Sequence, residues 1–195
     1  LEAMISEPSG RLLFADRLHQ ARVNQVALRY AGADLCPKVP EMQINGFLAY
    51  DPEEIYFYGV SQGGVVGGTY APLAPLVDRA VLGVGGASFT FLMFRSRYFA
   101  TFLTLLESFL ETPLQSQKWV ALLATTFDRI DPITYAPHAI KGLYPGGPSE
   151  RRILMQNAIG DTDVTNLATH LQARALGVKL LLPASREIPF LDTVE

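Results

Sequence analysis

One serine in this chain stands where a nucleophile could be displayed. The stretch IYFYGVSQGGVVGG, residues 55–68, runs from strand-favouring residues into Ser61, with Gly59 two residues before it and Gly63 two after. A serine hydroxyl attacks an acyl carbon only when a base takes its proton and the oxygen can reach the substrate. A sharp strand-to-helix turn meets the second need by lifting the side chain above the sheet end. Glycines two residues to either side relieve the crowding that such a turn creates. Gln62 then offers its backbone N–H at the start of a helix, where the peptide dipoles favour a developing oxyanion. G-x-S-x-G is short and recurs by chance; a strand before it and a helix after it give it weight. The competing reading is a glycine-rich turn in which Ser61 caps the helix. Gly67 and Gly68 suit both readings, because they let the helix lie close to the sheet.

The elements that must position this serine follow from periodicity. Residues 12–31 read as an amphipathic helix, with Leu18, Ala21, Val26 and Leu28 as its apolar contribution and Arg17, Arg22 and Arg29 between them. AGADLCPKVPE is a breaker-rich loop. Residues 55–60 form a strand that is apolar on both alternations, the pattern of a parallel strand covered on both faces. A helix is predicted from about Gly63 to Leu76, then a second strand over 79–86, RAVLGVGG. This order is a right-handed crossover unit in a parallel sheet. Residues 88–128 are helical in pattern, and six of the eleven phenylalanines lie between positions 89 and 109. They read as core packing or as a lid lining an acyl pocket. Arg95 and Arg97 mark its solvent side, and Trp119 is read as packing. A third strand covers 151–160, a helix closed by Gly177 covers 164–177, and VKLLLP, 178–183, suggests a fourth strand. The fold class is α/β: a narrow, mostly parallel sheet in one domain over 1–195, with a helical insertion over 88–145. Its two sheet edges call for cover by another chain or a missing segment, a homodimer being one arrangement that supplies it.

At this point the chain resembles the α/β-hydrolase family over roughly residues 50–177. IYFYGVSQGGVVGG, the strand RAVLGVGG, the helical insertion in the cap position and ILMQNAIGDTDV carry the resemblance. It implies a three-layer fold, a serine esterase or lipase-like activity through an acyl-enzyme on Ser61, and no cofactor. The family's acid follows a later strand, which places Asp161 in that role, with Asp163 as the alternative; it would hold the histidine tautomer and stabilise the imidazolium. The bland reading has both aspartates capping the helix that starts near Val164. The family's histidine follows its acid, and here the only later one, His170, lies inside a helix. His19 reads as surface. His138, in TYAPHAI, precedes the acid and would serve as base only in a rearranged chain order. The early loop that supplies the second oxyanion donor has no counterpart before Ser61. The resemblance therefore covers the central and later part of a hydrolase domain. That fits a piece of a longer protein, a form completed by a second subunit, or a minimal form with another base. The contrasting function is a catalytically incomplete remnant that binds a ligand or partner through its cap.

Composition narrows the alternatives. The chain has 195 residues, a formal net charge of -3 and one cysteine. No basic stripe suggests nucleic acid, and a single Cys36 in a proline-bounded loop cannot form an internal disulfide. No apolar run is long enough to cross a bilayer. LEAMISEPSG lacks the basic head and apolar stretch of a signal peptide; Met4 reads as the natural start, with Leu1–Ala3 left from cloning. GGVVGGT lacks the lysine of a phosphate-binding loop, and no His, Cys and carboxylate set has zinc spacing. The expected ligand is a small ester with an apolar group.

Overall fold

A computed structural model describes residues 10–110 and 112–195. The N-terminal reading around Met4 lies outside them. The described chain is a mixed α/β arrangement. It begins with helix α1, Gly10–Tyr30, and a small hairpin of β1, Gln43–Ile44, and β2, Phe47–Leu48. The serine segment forms β3, Phe57–Val60, and α2, Gln62–Leu73, followed by β4, Arg79–Gly83. Then come α3, Phe89–Arg95; α4, Ala100–Phe109; α5, Pro113–Phe127; and α6, Pro132–Tyr135. β5, Arg152–Gln156, leads to α7, Asn166–Leu176, and to β6, Leu180–Leu181, and β7, Thr193–Val194.

The three central strands lie in the order β3-β4-β5 and all run parallel, with Phe57 opposite Ala80 and Ala80 opposite Ile153. Residues 178–183 do not extend this sheet. Only Leu180–Leu181 is extended there, and it pairs with Thr193–Val194 in a separate two-stranded sheet. One face of the central sheet is packed: Phe57, Leu82, Ile153 and Met155 meet side chains of α2, α7 and the 136–140 segment. The other face is open. Tyr58, Val60 and Leu154 are 64%, 51% and 52% exposed. The apolar residues on both alternations thus cover two faces in sequence but only one in the described structure, and a third layer is not seen among the described residues.

Buried arginines lock the layers together. On α1 the inward face repeats at three and four residues: Ala15, Leu18, Arg22, Val26 and Arg29. Leu28 falls off this face and is 71% exposed, while Arg22 and Arg29 are buried, the reverse of the apolar reading of that helix. Arg22 donates from Nε to Thr69 Oγ1 of α2 (2.6 Å) and from NH2 to the Ile130 carbonyl (3.1 Å). Arg151, 2% exposed, donates to three carbonyls, those of Val77 (2.8 Å), Ala139 (3.1 Å) and Ala74 (3.2 Å). A buried cation is tolerated when its donors are satisfied, and the guanidinium fork suits several acceptors at once.

The insertion between β4 and β5 buries Phe89, Leu92, Phe102, Leu106, Leu123 and Phe127 in a cluster that also takes in Ala15 of α1 and Val65 of α2. α5 begins with a reciprocal cap: the Gln115 N–H donates to Thr112 Oγ1 and the Thr112 N–H to Gln115 Oε1. Tyr98 and Phe109 remain largely exposed.

Candidate active site

Ser61 sits between the last residue of β3 and the first of α2 with φ 55° and ψ -118°. A positive φ in a non-glycine residue is strained, on the order of 1–3 kcal/mol, and persists only where the surroundings enforce it. They do so here on both sides. The Ser61 N–H donates to the Gly83 carbonyl (2.9 Å) and its own carbonyl accepts from Val65 N–H (3.0 Å). The side chain does not cap α2 and makes no hydrogen bond with any described residue. The capping role is therefore not the one Ser61 plays.

The glycines around it divide by cause. A Cβ on Gly59 would lie 2.3 Å from the Gly63 carbonyl oxygen, so the turn admits no side chain there. A Cβ on Gly63 would meet nothing within 4 Å, so the expected crowding acts on one flank of the serine only. A Cβ on Gly64 would strike the Gly83 carbonyl at 2.5 Å, and one on Gly67 the Phe57 ring at 2.3 Å. These two let α2 lie against the sheet and seat the helix start over the strand ends. The first-turn N–H groups of α2, Gln62 included, have no intrahelical acceptor.

Ser61 and Gln62 line a cavity of about 460 Å³ at the carboxyl ends of the strands. Its walls are mainly apolar: Phe14 and Leu18 from α1, Val65 from α2, Phe89 and Leu92 from α3, and Phe99. Phe14 stands edge-on to Phe89 and Phe127, with ring centroids 6.4 and 5.7 Å apart. A larger groove, about 750 Å³, lies at the opposite end of the sheet among Arg29, Asp78, Arg79, Glu150 and Arg152. Its lining is rich in charged side chains, so an apolar acyl group fits the smaller cavity better.

The two aspartates separate. Asp161 turns its Oδ1 onto the N–H groups of Asp163 (2.8 Å) and Val164 (3.0 Å), closing the loop before α7. Asp163 lines the Ser61 cavity. Its Oδ1 lies 3.3 Å from Arg97 Nε yet takes no hydrogen bond, so that contact is one of charge alone. The loop itself is pinned from behind. Asn166 Nδ2 donates to Asn157 Oδ1 (2.8 Å) and the Ala158 carbonyl, while Asn166 Oδ1 accepts from Gly160 N–H (3.0 Å).

None of the three histidines lines the cavity. His138 ends a short 3-10 turn, its Nδ1 2.7 Å from the Gly142 carbonyl and its ring against Tyr144. The structure does not bring it to Ser61. His19 faces Arg22 NH1 at 3.1 Å. His170 on α7 sits 3.2 Å from Asn157 Nδ2 and 3.4 Å from Arg186 NH2. Burial first, then Arg186 and Arg174, lowers its pKa. Both contacts suit a neutral ring with Nε2 as acceptor.

Comparison with known proteins finds no matching family, no matching curated relative and no matching solved structure. Among the described residues no group of His, Cys, Asp and Glu could hold a metal ion, and no helix is long and apolar enough to cross a membrane. Two features escaped the sequence reading. Phe14 and Leu18 form part of the cavity wall, a role visible only as an i, i+4 apolar pair on α1. The hairpin at 43–48 carries the signal of its turn, Asn45-Gly46 between apolar residues, both at positive φ.

Proposed function

We propose that this protein is a serine-dependent hydrolase that cleaves carboxylic esters through an acyl-enzyme on Ser61. The fold would be of the α/β-hydrolase kind, with the helical insertion at 88–145 as its cap. The observation that carries the reading is a strained serine whose hydroxyl takes no hydrogen bond and faces an apolar cavity. In the reaction Ser61 Oγ attacks the ester carbonyl and gives up its proton to a base. The Gln62 N–H stabilises the oxyanion, the alcohol leaves with a proton, and water releases the acid. Asp163, on the same cavity, fits the acid position better than Asp161, whose carboxylate closes its own loop. His138 is too committed to Gly142 and Tyr144 to act as base. The substrate is a small ester with an apolar acyl group.

An alkyl fluorophosphonate tests this reading. We expect covalent labelling at Ser61 that disappears in Ser61→Ala, and p-nitrophenyl ester hydrolysis that falls about a thousandfold or more in that variant. Folded protein that takes no label overturns the proposal. The absence of a histidine on the cavity wall favours a second reading, a non-catalytic module that holds an apolar ligand there. Its signature is reversible binding of a fluorescent fatty acid without labelling.

A further inference from the structure

The first helix of the insertion, α3, starts just after Ser88, and α6, still within the insertion, starts just after Asp131. Asp131 is 5% exposed, and its carboxylate bridges these two points. Oδ2 accepts from the Phe89 N–H at 2.7 Å, the first residue of α3, and Oδ1 accepts from the Ile133 N–H at 3.0 Å, in the first turn of α6. One residue earlier, the Ile130 carbonyl accepts from Arg22 of α1, and Arg22 also holds Thr69 of α2. Thr69 in turn donates to the Val66 carbonyl at 2.7 Å, and Val66 lines the Ser61 cavity. Phe89 and Leu92, carried on α3, form its wall from the insertion side.

We infer that Asp131 is a positioning residue that fixes the insertion wall of the Ser61 cavity, and with it the size of apolar group the cavity accepts. The inference rests on the proposed use of Ser61 only for one of its readouts. A carboxylate that accepts two backbone N–H bonds inside the protein holds both helix starts in one place. Burial pushes its carboxyl pKa up, and the hydrogen bonds from Ile133, Phe89 and Ser88 pull it back. Asparagine has the same shape but one acceptor oxygen, so Asp131→Asn keeps one bond and turns an N–H toward the other donor.

The test uses the whole chain and two fluorophosphonates, one with an ethyl and one with a dodecyl chain. In D131N the maximal labelling rate of Ser61 with the ethyl probe stays within about twofold of the parent. The concentration for half-maximal labelling by the dodecyl probe rises about tenfold, as expected for the loss of one charge-assisted bond. Asp128→Asn, an exposed carboxylate nearby, changes neither. Equal loss with both probes, or none with either, overturns the inference. If the parent protein takes no label, the hydrolase reading fails by itself, and the dissociation constant for cis-parinaric acid becomes the readout, with the same tenfold weakening expected in D131N. Should D131N not fold, hydrogen exchange in the parent decides. The Phe89 amide, which an unsupported helix start leaves unprotected, exchanges slowly and in step with Ile133. Fast exchange at Phe89 overturns the inference.

Discussion

Ser61 holds its positive φ because the residue two before it has no side chain. The clash that a Cβ on Gly59 would make is with a backbone carbonyl, which has nowhere to go within a hydrogen-bonded turn. Gly59→Ala is expected to destabilise the protein by about 1–3 kcal/mol, the range for forced overpacking. Gly63→Ala is expected to be neutral or stabilising by up to about 1 kcal/mol, since alanine suits a helix better and meets open space. Urea unfolding of the two variants checks this, and a large loss in Gly63→Ala would contradict the one-sided turn. The motif was legible in the sequence as a spacing. Which of its glycines is obligatory was not, because that depends on the approach of Gly63's carbonyl in three dimensions. The same limit applies to Asp161 and Asp163. Both lie past a strand end, and only the direction of the turn decides which carboxylate points at the cavity.

Elements of the fold were legible where a period or a breaker marks them. The strand, helix and strand around Ser61 appear within a few residues of their expected bounds, and Gly177 ends α7 in the left-handed conformation at φ 69°. What the pattern concealed is polar. Arg22 and Arg29 interrupt an apolar stripe in sequence, yet they occupy its inward positions because their donors find carbonyls and a hydroxyl there. The loop that carries Asp163 depends on a similar polar set around His170. Its lowered pKa means that the unfolded chain takes up the proton more readily than the folded one. The stability supplied by the neutral ring is therefore present above about pH 6.5 and is lost as pH falls through the lower folded value. Thermal unfolding should show a falling midpoint between about pH 7 and about pH 5, flattened in His170→Gln. His19, lowered by burial and then by Arg22 and Arg129, leaves some slope behind. An unchanged slope in His170→Gln would remove His170 from this role.

For the whole molecule, the bare face of the central sheet is the departure from expectation. Parallel sheets are ordinarily covered on both sides. Leu82 on the packed face is fully buried and Leu154 on the other is half exposed. Leu82→Ala should cost about 2–5 kcal/mol and Leu154→Ala less than about 1. Comparable losses, measured by urea unfolding, would mean that the open face is covered in solution. Three strands of this length span on the order of 250 Å² by strand rise and spacing. A stable dimer buries about 800 Å² per partner, so a homodimer would need more than this face. The interior offers a different kind of independence. Arg22 and Arg151 spend their donors on carbonyl dipoles and a hydroxyl rather than on surface carboxylates. Mobile ions screen exposed charge pairs but reach buried dipoles poorly. These buried joints of α1, the sheet and the insertion are in this sense deaf to ionic strength, whereas the exposed Asp16–Arg129 pair between α1 and the insertion is open to screening. A lysine in either place would lose the joint, because a single ammonium cannot span acceptors that lie on separate parts of the chain.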